Sequence, residues 1–192
     1  MGSKRRLPQR HERLYRRMSP HGDERSFQVV VGQSDLWITV GAASTGGLES
    51  IALDCLSSIR GQISAWMMLD PAFATSLSPL HAPFEAPEAI RRMYEASSIM
   101  EVGPMACVAG GVAALVAEAL LPWSSDCLIE NGGDSMLHST RDRVVALLPE
   151  PGKRSEVGLV LKAAYFPLSL CSSSAHSGHS LSLGKEELAV VR

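Results

Sequence analysis

Alternation of apolar and polar positions sets in at Phe27. Phe27-Gln28-Val29-Val30-Val31 and Leu36-Trp37-Ile38-Thr39-Val40 both follow a period of two, with Gly32-Gln33-Ser34-Asp35 between them. This spacing predicts a β-hairpin, with Phe27, Val29 and Val31 on one face and Leu36, Ile38 and Val40 on the partner strand. The period then lengthens. Leu48, Ile51, Ala52, Cys55, Leu56 and Ile59 recur at helical spacing, which predicts a helix that stops near Gly61. A second helical or irregular piece covers Ile63 to Leu69 and is broken by Pro71. Pro79, Pro83 and Pro87 mark a loop, and Pro87 suits the first turn of a helix running through Ala89, Ile90, Met93 and Tyr94.

The next segment is apolar on every side. Gly103-Pro104 opens it, Pro122 closes it, and the sixteen residues from Val102 to Ala117 carry no charge. A membrane span needs about 20 such residues, so the expectation is a buried central helix. Gly110, Gly111 and the alanines would let a sheet or a ligand pack closely on it. Four strands are predicted after it: Cys127–Glu130, Ser135–His138, Val144–Leu148 and Val157–Ala163. Glu150-Pro151-Gly152-Lys153 is a turn signal between the last two. A loop rich in Ser and His follows from Cys171 to Ser180, and Leu188–Val191 is a short apolar run. Helices and strands mix without a βαβ rhythm, so the predicted class is α+β, with a mixed or antiparallel sheet around a buried Gly/Ala-rich helix.

Charge divides the chain. Residues 1–25 hold eight Lys/Arg against three acids, and the remainder holds ten against seventeen. The first stretch reads as a basic N-terminal arm, solvated more readily than anion-binding. Residues 26–192 read as one domain. The overall charge of −2 argues against nucleic acid as the main partner. The basic stretch lacks the apolar run of a secretory signal, so a cytoplasmic location and no membrane partner are the expectation. Cys55, Cys107, Cys127 and Cys171 are widely spaced in apolar surroundings and read as buried thiols of a reducing compartment.

Three places invite chemistry. Asn131-Gly132-Gly133-Asp134 would bring backbone close to a nucleotide or sugar, with Asp134 accepting hydrogen bonds. The same residues are also an ordinary hairpin signal, and the sequence leaves the two readings level. The helix start at Gly103 offers unpaired N–H groups to an anion, as every helix start does. In the Ser/His loop, the backbone and hydroxyls of Ser173, Ser174 and Ser180 would cradle a phosphate. His176 and His179 lie three apart without a nearby carboxylate or thiolate pair, so no metal site is expected there.

Read together, GPMACVAGGVAALVAEALL, ENGGD and SGHSLSLGK resemble a bacterial and archaeal family related to the ApbE-type flavin transferases, over roughly residues 12–191. Tyr15-Arg16 and the Ser34-Asp35-Leu36-Trp37-Ile38 strand share the likeness. Such enzymes bind FAD and, with magnesium, transfer FMN to a Thr or Ser of a target protein. The resemblance implies an α+β fold and a pocket for FAD, FMN or another phosphate-bearing nucleotide. Asn131, Gly132, Gly133 and Asp134 would line that pocket, with Gly103 and Gly110 on its helical wall.

Several positions depart from the transferase pattern. With Gly110 at the helix glycine, Ala109 stands where transferases carry Lys. His176–Ser180 lacks their Asp-Pro, and their metal-binding Asp and Thr would fall beyond Arg192. A magnesium-dependent transfer is therefore not expected. Binding of a small nucleotide-like molecule is the leading expectation. A non-catalytic assembly protein, pairing as a homodimer across an edge at Leu188–Val191, comes second. An enzyme of another reaction, with His179 as general acid or base and Asp134 orienting the substrate, comes third.

Overall fold

The computed structural model describes residues 22–44, 46–146, 157–172 and 189–191. The basic arm up to residue 21, the turn at residues 150–153 and most of the Ser/His loop lie outside these.

The predicted hairpin forms. β1 (Glu24–Val31) and β2 (Ser34–Gly41) pair antiparallel from Glu24↔Gly41 to Val31↔Ser34, around Gly32 at φ +60°. Phe27 faces Ile38 and Val29 faces Leu36 across the ladder, so all four share the inner face. Next, α1 (Leu48–Leu69) runs without a break and buries Leu48, Ala52, Leu56, Ile59, Ile63 and Trp66. The predicted stop at Gly61 is thus corrected. A Cβ at Gly61 would meet nothing within 4 Å, so this glycine lies on the open side of a helix whose other side is nailed to the core. The cost of one helical glycine, about 1 kcal/mol, is outweighed by that burial.

The helix ends at Asp70, whose carboxylate accepts from Ala72 N at 3.0 Å and starts the short α2 (Pro71–Thr75). α3 (Glu88–Met100) buries Ala89, Ile90, Met93, Tyr94 and Ser97. Trp66 Nε1 donates to Tyr94 Oη at 3.0 Å, and Tyr94 Oη donates to Asp70. This chain of bonds ties the end of α1 to the middle of α3. A 3-10 turn (Pro104–Cys107) then leads into α4 (Val108–Leu120), which buries Val112, Ala113, Val116, Ala117 and Leu120. A Cβ on Gly111 would stand 3.3 Å from Met93 Cε, so the glycine lets α3 close on α4. No single described helix is long and apolar enough to cross a membrane.

β3 (Cys127–Asn131) and β4 (Asp134–His138) form the second hairpin, and β3 pairs with β2 from Leu36↔Asn131 to Val40↔Cys127. β5 (Arg143–Ala146) and β6 (Gly158–Leu161) stand apart as a two-stranded sheet. β6 is shorter than the predicted Val157–Ala163, because Ala163–Tyr165 turns into 3-10 geometry. β7 (Leu168–Ser172) pairs with β4, and β8 (Ala189–Val191) pairs with β7. β7 was not predicted, and Cys171 belongs to this strand rather than to a loop. The main sheet runs β1-β2-β3-β4-β7-β8, antiparallel throughout. α1 packs on β1 and on α4, and α4 packs on β3 and β4. Leu36, Ile38, Val40, Cys127 and Ile129 are fully buried beneath them. The structure is α+β, and its sheet is antiparallel rather than mixed.

The β5–β6 hairpin is anchored by charge. Arg143, 8% exposed, donates to Glu24 of β1, to Asp126 Oδ1 at 2.9 Å and to Ser139 Oγ at 2.7 Å. Arg141 adds bonds to Asp23 and Glu24. Burial pushes the Asp126 carboxyl up, but bonds from Thr140, Ser139 and Arg143 outweigh it and hold the group at about 2.

Candidate functional site

Gly132 and Gly133 are the two connecting residues of the β3–β4 hairpin, at φ +72° and +129°. Side-chain-bearing residues rarely adopt such angles, so turn geometry alone accounts for both glycines. The tetrapeptide has the geometry of the hairpin reading. Its flanking residues do more. Asn131 is the inner-face partner of Leu36 and is only 7% exposed. Its Nδ2 donates to the carbonyl of Ala109 at 3.0 Å, which pins the turn to the start of α4. Gly132 N donates to Glu130 Oε1 at 2.9 Å, stiffening the turn from its outer side.

Asp134 pairs with Asn131 on one side and with Cys171 on the other, so all three point toward the helices. The Cys171 thiol donates to the Asp134 carboxylate. Burial, then that bond and the charge, push the thiol up to about 11. Cys107, in the 3-10 turn before α4, is raised by burial and by the same charge. Asp134 therefore stands between a thiol from the helical layer and a thiol from the sheet. All four cysteines are free thiols, but only Cys127 is buried; Cys55 and Cys107 are half-buried and Cys171 is exposed, which corrects the expectation for it.

The two helical glycines separate. A Cβ at Gly103 would lie 1.8 Å from the carbonyl oxygen of Ser76, so this glycine admits the chain after α2. At Gly110 a Cβ would meet nothing within 4 Å, which leaves open space beside the first turns of α4. The structure thus brings Asn131, Gly132, Gly133 and Asp134 to the start of α4 and adds Cys107 and Cys171. Ser173, Ser174, His176, His179 and Ser180 lie outside the described residues. The described strands on either side of them meet at Ser172↔Ala189, next to the Asp134↔Cys171 pair. Among the described residues no three His, Cys, Asp or Glu side chains are grouped to hold a metal ion.

The two cysteines escaped sequence reading for different reasons. Cys107 lies four residues past Gly103 in a run that reads as uniform helix. Cys171 borders a Ser cluster that reads as loop, although Leu168-Ser169-Leu170-Cys171 keeps a strand's alternation.

The architecture is that of an α+β protein whose antiparallel sheet ends in an Asn-Gly-Gly-Asp hairpin under the start of a buried Gly/Ala helix. Residues 16–192 match the family model described as AbpE bacteria, and the chain belongs to that family. It is similar to UPF0280 proteins of archaea. With that of Methanocella arvoryzae it shares 34% identity over 142 residues, covering 73% of this chain and 58% of the relative. With that of Methanosarcina acetivorans the identity is 30% over 155 residues, covering 80% and 61%. With that of Methanopyrus kandleri it is 33% over 171 residues, covering 86% and 66%. The chain spans about three fifths of the length of the first two.

Proposed function

We propose that this chain binds a flavin or another phosphate-bearing nucleotide where the Asn131–Asp134 hairpin meets the start of α4. The observation that carries the reading is the position of Asp134. Its carboxylate lies at the end of the sheet, near the open side of a helix whose first turn has no side-chain cap. A carboxylate there accepts hydrogen bonds from ribose or ribityl hydroxyls. Val108 N donates to the Met105 carbonyl, and the dipole of the helix that starts there suits a phosphate a few ångströms further on. The likeness to ApbE-type proteins narrows the choice toward FAD and FMN. Flavin transfer is not part of the proposal, because Ala109 stands where the transferases carry Lys.

The test is isothermal titration of FAD, FMN and ATP into the purified chain, with and without magnesium, repeated on Asp134→Ala and Gly110→Val. Saturable binding to the parent chain, weakened at least tenfold by either change, supports the site. Binding that ignores both changes places the ligand elsewhere. No saturable binding of any of the three at high micromolar concentration overturns the proposal.

A further inference from the structure

The opposite end of the sheet holds an open cavity of about 270 Å³, between the turn after β2 and the segment joining α4 to β3. The pairs Leu36↔Asn131 and Val40↔Cys127 are four residue steps apart along β2, so it lies roughly 14 Å along the strands from the Asp134 site. Its wall includes Trp123, whose indole is 55% exposed although α4 and β3 are buried on either side of it. Its floor is Gly41. A Cβ there would stand 3.6 Å from Ser44 Oγ and 3.7 Å from Ser124 Oγ, so the missing side chain leaves room between two hydroxyls.

The polar groups differ in how far they are committed. Ser124 Oγ accepts from Gly41 N at 3.2 Å and spends its proton on the Asp126 carbonyl at 2.6 Å. The hydroxyls of Ser44 and Ser125 have no hydrogen-bond partner among the described residues. The Asp126 carboxylate is fixed from behind. Oδ1 accepts from Ser139, Thr140 N and Arg143, whereas Oδ2 accepts only from Thr140 Oγ1 at 2.9 Å. It therefore keeps a lone pair for a further donor. No Lys or Arg lines the cavity.

These properties select a ligand class. Arg143 compensates the Asp126 carboxylate from behind, and no cation lines the cavity to draw in a phosphate or a carboxylate, so a neutral ligand fits best. Two uncommitted hydroxyls and a carboxylate lone pair match a compound that both donates and accepts, as an alcohol does. A half-exposed indole offers a flat apolar plate to one face of a ring. The volume falls just under the roughly 300–1,000 Å³ of pockets that enclose drug-sized molecules, so it suits one small ring. We infer that the cavity beside Trp123 binds an uncharged polyhydroxylated ring, such as a monosaccharide unit. The ring stacks on the indole and exchanges hydrogen bonds with Ser44, Ser125 and Asp126.

The experiment titrates glucose, galactose and N-acetylglucosamine into the full chain, read by saturation-transfer NMR on the sugar and by tryptophan fluorescence. Trp66 is buried but Trp37 is part-exposed on β2, so the fluorescence is read in a Trp37→Phe background, where Trp123 carries the solvent-side change. The expected result is saturable binding of at least one sugar in the millimolar range. It should weaken at least tenfold in Trp123→Ala and in Gly41→Ala. The latter fills the floor with a methyl group at ordinary contact distance, so it carries the test if the Trp123 variant does not fold. FAD titration of Gly41→Ala should match the parent chain, which separates this proposal from the site at Asp134. Three results overturn it: no saturable signal from any sugar at about 50 mM, binding that survives both changes, or displacement of the sugar by inorganic phosphate.

Discussion

Replacing Arg143 with Met removes the guanidinium that joins the β5–β6 hairpin to the start of the main sheet. The side chain is 8% exposed and its partner Glu24 is 3% exposed, so the pair is out of water. Breaking a buried ion pair by deleting one partner costs about 3–5 kcal/mol, mostly because the remaining charge is stranded. Here Glu24 keeps Arg141, itself 36% exposed and 2.6 Å away, which places the cost near the lower end, about 3 kcal/mol. For a chain of this size that corresponds to a fall in Tm of roughly 6–12 °C. The assay is urea unfolding followed by circular dichroism, with calorimetry for Tm. Pairing Arg143→Met with Glu24→Leu should recover part of the loss, since the most deeply buried carboxylate is then gone, while Asp126 keeps its bonds from Ser139 and Thr140. A loss below about 1 kcal/mol, the value of an exposed ion pair, would refute the reasoning.

Gly103→Ala should destabilise the chain by more than about 2 kcal/mol, because its methyl group would collide with a backbone carbonyl. Gly110→Ala should be neutral or stabilising by up to about 1 kcal/mol, since its Cβ enters open space in a helix; the same unfolding curves compare the two. Asp126 is held at about 2 when folded against about 3.9 unfolded. Its contribution is complete above about pH 4 and is lost as pH falls toward 2, amounting to at most about 2.5 kcal/mol. Residual solvent contact, at 19% exposure, lowers that ceiling. Asp126→Asn should flatten the acid limb of the stability–pH curve across that window, and an unchanged limb would exclude Asp126 as its source. Cys171, exposed but raised to about 11, should alkylate more slowly at pH 8 than a free thiol. Asp134→Asn should speed it several-fold by lowering the thiol pKa; mass spectrometry of iodoacetamide-treated protein reads both rates.

Local pattern carried much of the fold. The β1–β2 hairpin was legible because β2 alternates cleanly, with Leu36, Ile38 and Val40 buried and their neighbours half-buried. α4 was legible because a charge-free helical run has few other places to go. What escaped depends on contacts distant in sequence. Gly61 reads as a stop, yet the helix continues because Ile63 and Trp66 are buried in the same core as Leu56 and Ile59. Gly103 reads as a ligand wall until Ser76 is seen against it, and nothing local announces a neighbour that far away in the chain. Asp134 was picked out by its turn, whereas its thiol neighbours come from a 3-10 turn and from β7. The charge network is the least legible part. Asp23, Glu24, Asp126, Arg141 and Arg143 fall at strand ends and look like surface residues until the sheet order brings them together.

The seam between β2 and β3 separates two kinds of folding event. β1–β2 and β3–β4 are hairpins between chain neighbours and close early, in microseconds. Their mutual register is different, because every residue of α1 to α4 lies between the two strands that meet there. Ile38↔Ile129 can form only after the helical layer has collapsed into a compact loop, since the entropy of closing that loop precedes any gain from the contact. The seam is thus the long-range step of the sheet, and the helices make up the loop that it closes. A substitution at Ile129 that weakens the seam should raise the unfolding rate and leave the folding rate nearly unchanged, whereas one in the α1–α4 contact should slow folding itself.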